Sequence, residues 1–231
     1  MLKVFIGYDS NESVAYHTLS HSIMRHAKKP IAIIPLKIEQ LPMTRPRDLN
    51  QSTEFSFSRF LVPWLCDYKG KAIFMDCDMI VKMDLNDLEK QSSNNNAAVS
   101  VIQHQYIPKT DSKFLDQRQS KYEKKNWSSV MLFNNELCKP LTPEIVNSES
   151  GMFLHQFEWA QSVGSIPVKY NHLVGEYPEN PDAKIIHYTL GTPCFQKYAN
   201  CEYADAWREE ERLMSNHNKV GEFSLHEKEA A

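Results

Sequence analysis

The sequence predicts a single α/β domain in which strands and helices alternate around one sheet. Residues 2–36 have the pattern of a strand, a helix and a second strand, which is the βαβ unit of a parallel sheet. An apolar run at 72–75 then ends in two carboxylates, Asp76 and Asp78, before a second apolar run begins. A chain of 231 residues can bury one large hydrophobic core. We expect this domain to cover residues 1–216, followed by a polar tail at 217–231.

The opening unit is predicted from hydrophobic spacing and a helix start signal. Residues 2–7 form a short apolar run, and Asp9 with Glu12 three positions later resembles a capping box. Apolar residues then recur at helical spacing over 14–27, and 31–36 form the next apolar run. Ligands of such sheets bind at the carboxyl ends of the strands, so the loop after the first strand is expected beside the Asp pair.

Hydrophobic patterning predicts the remaining elements. We expect helices at 56–66, 149–163 and 202–216, and strands at 97–102, 127–133 and 184–188. The segments 39–54 and 103–125 are predicted as loops. The second of these is charged and lacks clear periodicity, and long segments of that kind are often lids or binding loops.

The Asp-x-Asp sequence is the strongest chemical signal in the chain. Two ionised carboxylates at Asp76 and Asp78 repel each other unless a positive charge lies between them. A divalent cation with oxygen ligands meets that condition, and such a cation can hold a phosphate. The alternative interpretation is a strand end capped by polar residues.

Composition excludes some classes of partner. The net charge is −3, from 26 basic and 29 acidic residues, which indicates no general affinity for polyanions such as nucleic acid. Five cysteines without a CxxC pair favour reduced thiols and a cytoplasmic location over a disulfide framework. We expect no leader and no transmembrane segment, because no apolar run approaches the roughly twenty residues that a membrane span needs.

The order of these elements resembles glycosyltransferase family eight, the group of glycogenin and the bacterial lipopolysaccharide galactosyltransferases. The resemblance covers about residues 2–195 and includes the opening βαβ unit, the helix with Arg59, the Asp-x-Asp strand and the late His187 followed by Gly191. It implies a single GT-A domain with a mixed central sheet. It also implies a metal-dependent, retaining enzyme that moves a hexose from a nucleotide diphosphate sugar, with a UDP-sugar as the expected donor. The implied acceptor is a hydroxyl of a glycan, a lipid-linked molecule or a protein.

The resemblance assigns roles to single residues. Asp76, Asp78 and His187 match the metal ligands, and two carboxylates with one imidazole suit Mn²⁺, with Mg²⁺ as the alternative. Gln156 matches a residue near the anomeric carbon, and Arg59 a basic residue near the donor sugar and phosphates. Gln156, Asp78 and Arg59 are the implied catalytic set. The segment 126–134 resembles one where small residues let the donor sugar approach, and the implied donor-binding residues are Gly7, Tyr8, Asp9, Arg59, Asp76, Asn126, Ser128, Ser129 and Gly191.

Two positions depart from the pattern of that family. His155 stands where the family has Asp before its Gln, and the late motif lacks the Lys that contacts phosphate. Lys184 and Lys197 are the candidates to replace that Lys.

Two other functions stay open at this point. An apolar strand that ends in Asp-x-Asp also resembles the haloacid-dehalogenase phosphatases, where the first Asp is a nucleophile and the second a general acid beside Mg²⁺. That motif normally opens its domain, whereas a complete βαβ unit and a helix precede it here. A catalytically inactive nucleotide-sugar-binding protein would have the same fold and the same motifs.

Overall fold

A computed structural model describes residues 1–47, 51, 53–109, 112–113, 117–118 and 123–215. The strands in chain order are β1 Leu2–Gly7, β2 Ile31–Leu36, β3 Lys71–Met75, β4 Met79–Val81, β5 Val99–Ile102, β6 Ser112–Lys113, β7 Gln117–Arg118, β8 Val130–Asn134, β9 Val163–Ile166, β10 His172–Leu173 and β11 Ile185–His187. The α-helices are α1 Ser13–His26, α2 Val62–Leu65, α3 Pro143–Ser148, α4 Gly151–His155 and α5 Ala204–Ser215. The predicted tail at 217–231 lies outside the described residues.

The central sheet has six strands of mixed direction, in the order β2-β1-β3-β8-β5-β9. Strand β1 is parallel to β2 and β3, β8 is antiparallel to β3 and β5, and β5 is parallel to β9. A second sheet has the order β10-β11-β4, and β6 pairs with β7. The predicted α/β class with a mixed central sheet is confirmed.

The opening βαβ unit forms as predicted. Asp9 caps a 3-10 turn at Ser10–Glu12, where its side chain accepts a hydrogen bond from the backbone N of Asn11. Helix α1 follows, buries Ala15, Leu19 and Ile23, and contacts β4 of the second sheet. These three residues recur at intervals of four, so they share the buried face of α1.

The predicted helix at 149–163 is wrong beyond His155. Helix α4 ends there, Phe157 adopts the left-handed conformation with φ 60°, and Val163 begins strand β9. Phe157 and Trp159 are nevertheless buried in the main core. Apolar residues at helical spacing therefore reach the core through a turn, which periodicity alone does not distinguish from a helix.

The other differences concern short elements. The predicted helix at 56–66 is a 3-10 turn at Ser58–Leu61 followed by the single turn α2. The strand predicted at 127–133 begins only at Val130, after a 3-10 turn at Trp127–Ser129. The patterning also misses β9, β10 and α3. Elements of two to six residues carry too few side chains for a periodic signal.

Two hydrophobic clusters hold the sheets together. The larger one surrounds the central sheet and includes Phe5, Phe74 and Phe133. The smaller one lies between the second sheet and α5 and contains Ile80, Val174, Ala183, Ile186, Tyr188 and Trp207. Because the smaller cluster holds residues of β4 and β11, it determines where the end of β11 lies. Among the described residues, no helix is both long and apolar enough to cross a membrane.

A buried carboxylate joins α1 to α5. Glu210 is 3% exposed, and its Oε2 lies 2.6 Å from an Nη2 of Arg25. Its Oε1 lies 2.6 Å from Nδ1 of His21. These contacts connect residues 185 and 189 positions apart, and they fix the C-terminal helix against the opening unit.

We expect Glu210→Ala to lower the free energy of unfolding by about 2 kcal/mol, because hydrogen bonds to charged groups stabilise by roughly 1.5–3 kcal/mol. In the variant, Arg25 and His21 hydrogen-bond to water because both are partly exposed. The loss of stability is therefore smaller than for a fully buried ion pair. Urea unfolding measures the difference. Glu209→Ala, which removes an exposed pair with Arg212 on the same helix, is the matched control and should leave stability nearly unchanged. Equal effects of the two variants would contradict this prediction.

Candidate metal centre

The Asp-x-Asp segment forms the junction between the two sheets. Strand β3 ends at Met75 in the central sheet, and β4 begins at Met79 in the second sheet. The backbone N of Asp76 donates to the carbonyl of Ser129 (2.9 Å), and the carbonyl of Asp78 accepts from the N of Tyr188 (2.8 Å). Both ends of the segment are therefore held by hydrogen bonds to neighbouring chain segments.

Cys77 occupies the buried side of this segment. Its side chain is fully buried in the main core. Burial, together with the negative charge of Asp78 and Asp76, raises the pKa of the Cys77 thiol well above its ordinary value. The thiol stays protonated, so the two carboxylates and not the cysteine provide the anionic groups of the site.

The register of the second sheet places His187 beside Asp78. His187 pairs with Met79 across the antiparallel ladder of β11 and β4. Its Nε2 lies 3.2 Å from Oδ1 of Asp78, and its side chain is 2% exposed. One ligand atom from each of Asp76, Asp78 and His187 lies within 4.8 Å of the others. The structure thus brings together three residues that span more than a hundred positions of the sequence.

This group fits a divalent cation. Metal–oxygen bonds of about 2.0–2.6 Å allow two ligand atoms of one ion to be up to about 4–5 Å apart. Oδ1 of Asp78 is buried and accepts no hydrogen bond from the described residues. The side chains of Asp76 and Asp78 are 15% and 18% exposed, so the centre is also open to solvent on one side. Two carboxylates and one imidazole are together a donor set for a divalent cation.

Arg59 provides the fixed positive charge of the site. Its Nη1 lies 2.9 Å from Oδ1 of Asp76 and donates to the carbonyl of Ser128 at 2.8 Å. The guanidinium also lies over the rings of Phe74 (4.8 Å) and Phe55 (5.3 Å), and the side chain is 7% exposed. Arg59 therefore neutralises one of the two carboxylates and links it to the loop before β8.

The segment 126–129 lines the same region. Ser128 and Ser129 are buried in the 3-10 turn before β8, and Asn126 adopts the left-handed conformation at φ 61°. The Nδ2 of Asn126 donates to the hydroxyls of Tyr106 (2.8 Å) and Thr189 (3.2 Å). Ser128 bonds to Arg59, and Ser129 bonds to the backbone N of Asp76, so both serines lie next to the candidate metal group. Asn126 begins the same 3-10 turn.

His155 and Gln156 follow helix α4 beside this segment. Nδ1 of His155 lies 2.8 Å from the hydroxyl of Ser128. Burial and the positive charges of Arg59 and Arg45 lower the pKa of His155 to about 3, so its imidazole is neutral at pH 7. The carbonyl of Gln156 accepts a hydrogen bond from Nζ of Lys124 at 2.6 Å. Where glycosyltransferase family eight has Asp, this chain thus has a neutral imidazole that contacts Ser128.

The opening loop lies at the same edge of the central sheet. Ile6 pairs with Met75, so Gly7 at the end of β1 is next to Asp76, which follows the parallel strand β3. A Cβ on Gly7 would lie 2.3 Å from the ring of Phe55, so the close approach of that ring requires glycine.

Tyr8 and Asp9 continue this loop. The ring of Tyr8 contacts that of Tyr16 edge to face at 5.5 Å. The carboxylate of Asp9 accepts hydrogen bonds from the N and Nδ2 of Asn11 and from the N of Glu54, which shows a capping role.

A tight turn follows His187. Gly191 has φ 144°, and its N donates to the carbonyl of Tyr188 at 2.7 Å. A Cβ there would lie 2.3 Å from the ring of Tyr198, so both backbone conformation and packing require glycine. Lys184 precedes β11, and the rise per residue of an extended strand puts its Cα about 10 Å from that of His187. Nζ of Lys197 lies 5.6 Å from the centre of the Tyr198 ring, next to the Gly191 turn.

Two residues that sequence analysis did not select lie directly behind the metal group. Asn171 is fully buried, and its Oδ1 lies 2.9 Å from Nδ1 of His187. Nε2 of His104 lies 3.0 Å from Nδ2 of Asn171. A single Asn or His between short elements has no spacing or periodicity that would indicate such a contact, so no sequence signal identifies these two residues.

Solved structures with a similar fold are GT-A glycosyltransferases. The chain aligns over 96% of its length with the bifunctional glycosyltransferase WbbM (TM-score 0.61, 17% identity) and over 95% with GlyE of Streptococcus pneumoniae TIGR4 (0.60, 15%). It aligns over 95% with the galactosyltransferase LgtC, solved with donor and acceptor sugar analogues (0.58, 11%). The chain spans 50% of the WbbM chain, 63% of GlyE and 99% of LgtC. The predicted GT-A fold is confirmed.

A protein of higher sequence identity shows the family of this chain. The chain is 39% identical over 230 residues to Protein CDI of Arabidopsis thaliana. The alignment covers 94% of this chain and 88% of that protein. The chain therefore belongs to the family of Protein CDI. No family model matches the sequence.

We expect Arg59→Met to lower the free energy of unfolding of the metal-free protein by about 3 kcal/mol, because removing one partner of a buried ion pair costs roughly 3–5 kcal/mol. Asp76 then faces Asp78 without the charge of Arg59. Excess Mn²⁺ should reduce this loss, since a cation between the carboxylates replaces the missing charge. Urea unfolding with chelator and with Mn²⁺ measures both effects.

Arg212→Met, at an exposed arginine paired with Glu209, is the matched control for Arg59→Met. It should change neither stability nor its response to Mn²⁺. If Arg59→Met were as stable as the unmodified chain in chelator, the ion pair with Asp76 would not be a determinant of the fold.

Proposed function

We propose that this chain is a metal-dependent, retaining glycosyltransferase that moves a hexose from a nucleotide diphosphate sugar to a hydroxyl acceptor. The proposed donor is a UDP-sugar. The observation that carries the proposal is the group of Asp76, Asp78 and His187, within 4.8 Å of one another at the carboxyl edge of a GT-A sheet. Ligands of α/β sheets bind at this edge. The resemblance to glycosyltransferase family eight supports the retaining stereochemistry and the UDP donor.

The proposed roles follow from charge. Asp76, Asp78 and His187 would hold Mn²⁺ or Mg²⁺, which when bound supplies positive charge for the donor diphosphate and for the charge that develops on the leaving nucleotide. Arg59 keeps the carboxylate of Asp76 in place through the 2.9 Å ion pair. Because the guanidinium is buried and bonded to Ser128, it holds this position without a change of rotamer when the donor binds.

The donor sugar is assigned to the region of Asn126, Ser128 and Ser129, because the segment 126–134 resembles one whose small residues let the donor sugar approach. Gln156 is the proposed residue near the anomeric carbon, and neutral His155 contacts the same sugar region through Ser128. The half-buried Tyr8 is the proposed nucleoside contact, with Gly7 and Asp9 shaping its loop. The proposed acceptor is a hydroxyl of a glycan, a lipid-linked molecule or a protein. The cytoplasmic location stays a prediction.

A phosphatase mechanism is less compatible with these contacts. It needs Asp76 as a nucleophile, yet the carboxylate of Asp76 is ion-paired with Arg59 at 2.9 Å. The ion pair stabilises the negative charge of this carboxylate and so makes it a weaker nucleophile. A nucleotide-sugar-binding protein without activity would use the same residues, and turnover measurements separate it from an enzyme.

We expect Asp78→Asn to reduce turnover at least about 100-fold, since removing a group that stabilises charge at a reacting centre costs about 10²–10³ in rate. A neutral amide does not balance a divalent cation. Asp76→Asn should have a smaller effect, because Arg59 already neutralises that carboxylate. Release of nucleotide diphosphate from a panel of nucleotide sugars with Mn²⁺ is the assay.

Asp84→Asn is the matched control for Asp78→Asn. Asp84 caps a 3-10 turn through Oδ1, which Asn retains, and accepts from the backbone N of Lys28 through Oδ2, which Asn loses. This control should retain full turnover. Full activity of Asp78→Asn, with an unchanged unfolding transition, would overturn the proposed metal role.

A second prediction concerns metal removal. UDP should bind with a Kd in the micromolar range when Mn²⁺ is present and should lose most of this affinity in chelator, because the diphosphate is held mainly through the cation. Isothermal titration measures both conditions. The protein should not hydrolyse an aryl phosphate. Rapid aryl phosphate cleavage would favour the phosphatase, and equal UDP binding with and without metal would contradict the metal centre.

A further inference from the structure

A buried polar network lies behind His187. Its members are Asn171, His104, Ser129 and His187, each between 0% and 4% exposed. Asn171 is at the centre: its Oδ1 lies 2.9 Å from Nδ1 of His187, and its Nδ2 lies 3.0 Å from Nε2 of His104 and 2.7 Å from the hydroxyl of Ser129. One amide thus contacts three elements that are distant in sequence.

The orientation of the Asn171 amide follows from its neighbours. The hydroxyl of Ser129 lies 2.7 Å from the carbonyl of Asn126, and a carbonyl only accepts, so the single Ser129 proton points there. Ser129 must therefore accept its other hydrogen bond from Nδ2 of Asn171. This places Oδ1 of Asn171 against His187, and Oδ1 accepts only if Nδ1 of His187 carries the proton.

The contacts of His104 are consistent with this orientation of the Asn171 amide. Its Nε2 accepts the second proton of the Asn171 amide, so its own proton is on Nδ1 and points to the hydroxyl of Tyr177 at 3.1 Å. Burial and the neighbouring His187 and His172 lower the pKa of His104 to about 3, so the ring is neutral and keeps a free lone pair for Asn171. Every proton of the network then has one acceptor.

We propose that Asn171 is a positioning residue that holds His187 as the Nδ1–H tautomer and directs its unprotonated Nε2 toward the cation position beside Asp78. The proposal rests on the metal centre of the proposed function. Nε2 of His187 and Oδ1 of Asp78 are 3.2 Å apart, and as two acceptors they need a positive charge between them. Hydrogen bonds to the second nitrogen of a ligating His fix its tautomer and typically change metal affinity about 10–100-fold.

The first test is spectroscopic and uses the metal-free protein. With ¹⁵N-labelled histidine, nuclear magnetic resonance should show Nδ1 of His187 protonated, with His187→Ala providing the assignment. Asn171→Leu has a similar volume but no acceptor, so the Nδ1–H form should no longer predominate and the proton should move to Nε2, where Asp78 accepts it. An unprotonated Nδ1 on His187 in the unmodified chain would overturn the proposal.

The second test measures Mn²⁺ affinity by electron paramagnetic resonance. Asn171→Leu should weaken Mn²⁺ binding about 10–100-fold, whereas Asn171→Asp, which keeps an acceptor for Nδ1–H but loses the protons toward His104 and Ser129, should bind Mn²⁺ more tightly than Asn171→Leu. Asn135→Leu is the matched control, because Asn135 is equally buried but bonds to the carbonyl of Lys69 at the other end of β3. It should lower stability without changing Mn²⁺ affinity.

The outcomes separate this proposal from the proposed function. Unchanged Mn²⁺ affinity in Asn171→Leu would overturn the role of Asn171 while the metal centre stands. An unmodified chain that binds no Mn²⁺ would overturn the metal centre, and the tautomer of His187 would still decide whether Asn171 orients the ring. If Asn171→Leu does not fold, Asn171→Ser, whose hydroxyl is too short to reach His187, replaces it with the same expected loss.

Discussion

The site depends on one constraint: strands β3 and β4 are consecutive in the chain but belong to different sheets. The three residues 76–78 must cross between them, and hydrogen bonds to Ser129 and Tyr188 hold each end. Cys77 fills the core side of the crossing and is fully buried. The positions of the two carboxylates are therefore set by two hydrogen-bonded sheets, which are far stiffer than a surface loop.

Charge is distributed unequally over this crossing. Asp76 is paired with the buried guanidinium of Arg59, whereas Asp78 faces the imidazole of His187. Among the ion pairs between described residues of the site, Arg59 contacts only Asp76 of the two carboxylates, and the repulsion between two neighbouring carboxylates favours a divalent ion beside Asp78. The imidazole is in turn held from behind by Asn171, so the centre is supported by a polar network on its buried side and open to solvent on the other.

The fold was predictable where its signals are local. The capping pattern at Asp9, the spacing within α1 and the apolar runs of β1 to β3 all involve residues close in sequence, and each formed as expected. The prediction failed where an equally regular pattern belongs to a turn. Apolar residues at 153–160 have helical spacing, but the left-handed Phe157 ends the helix and still brings Trp159 into the core. Only tertiary packing, such as that of Trp159 against Phe133 of β8, distinguishes these two solutions.

For the site, the sequence by itself determined the chemical types: an Asp pair at a strand end, a late histidine, and glycines at 7 and 191 that the structure shows to be sterically required. The tertiary structure alone decided the partners. Arg59 is buried against Asp76, Asp9 acts as a cap, and Asn171 joins His187 to Ser129, 16 and 42 positions away. These contacts link distant segments of the chain, and their geometry comes from sheet register and core packing, which no local pattern encodes.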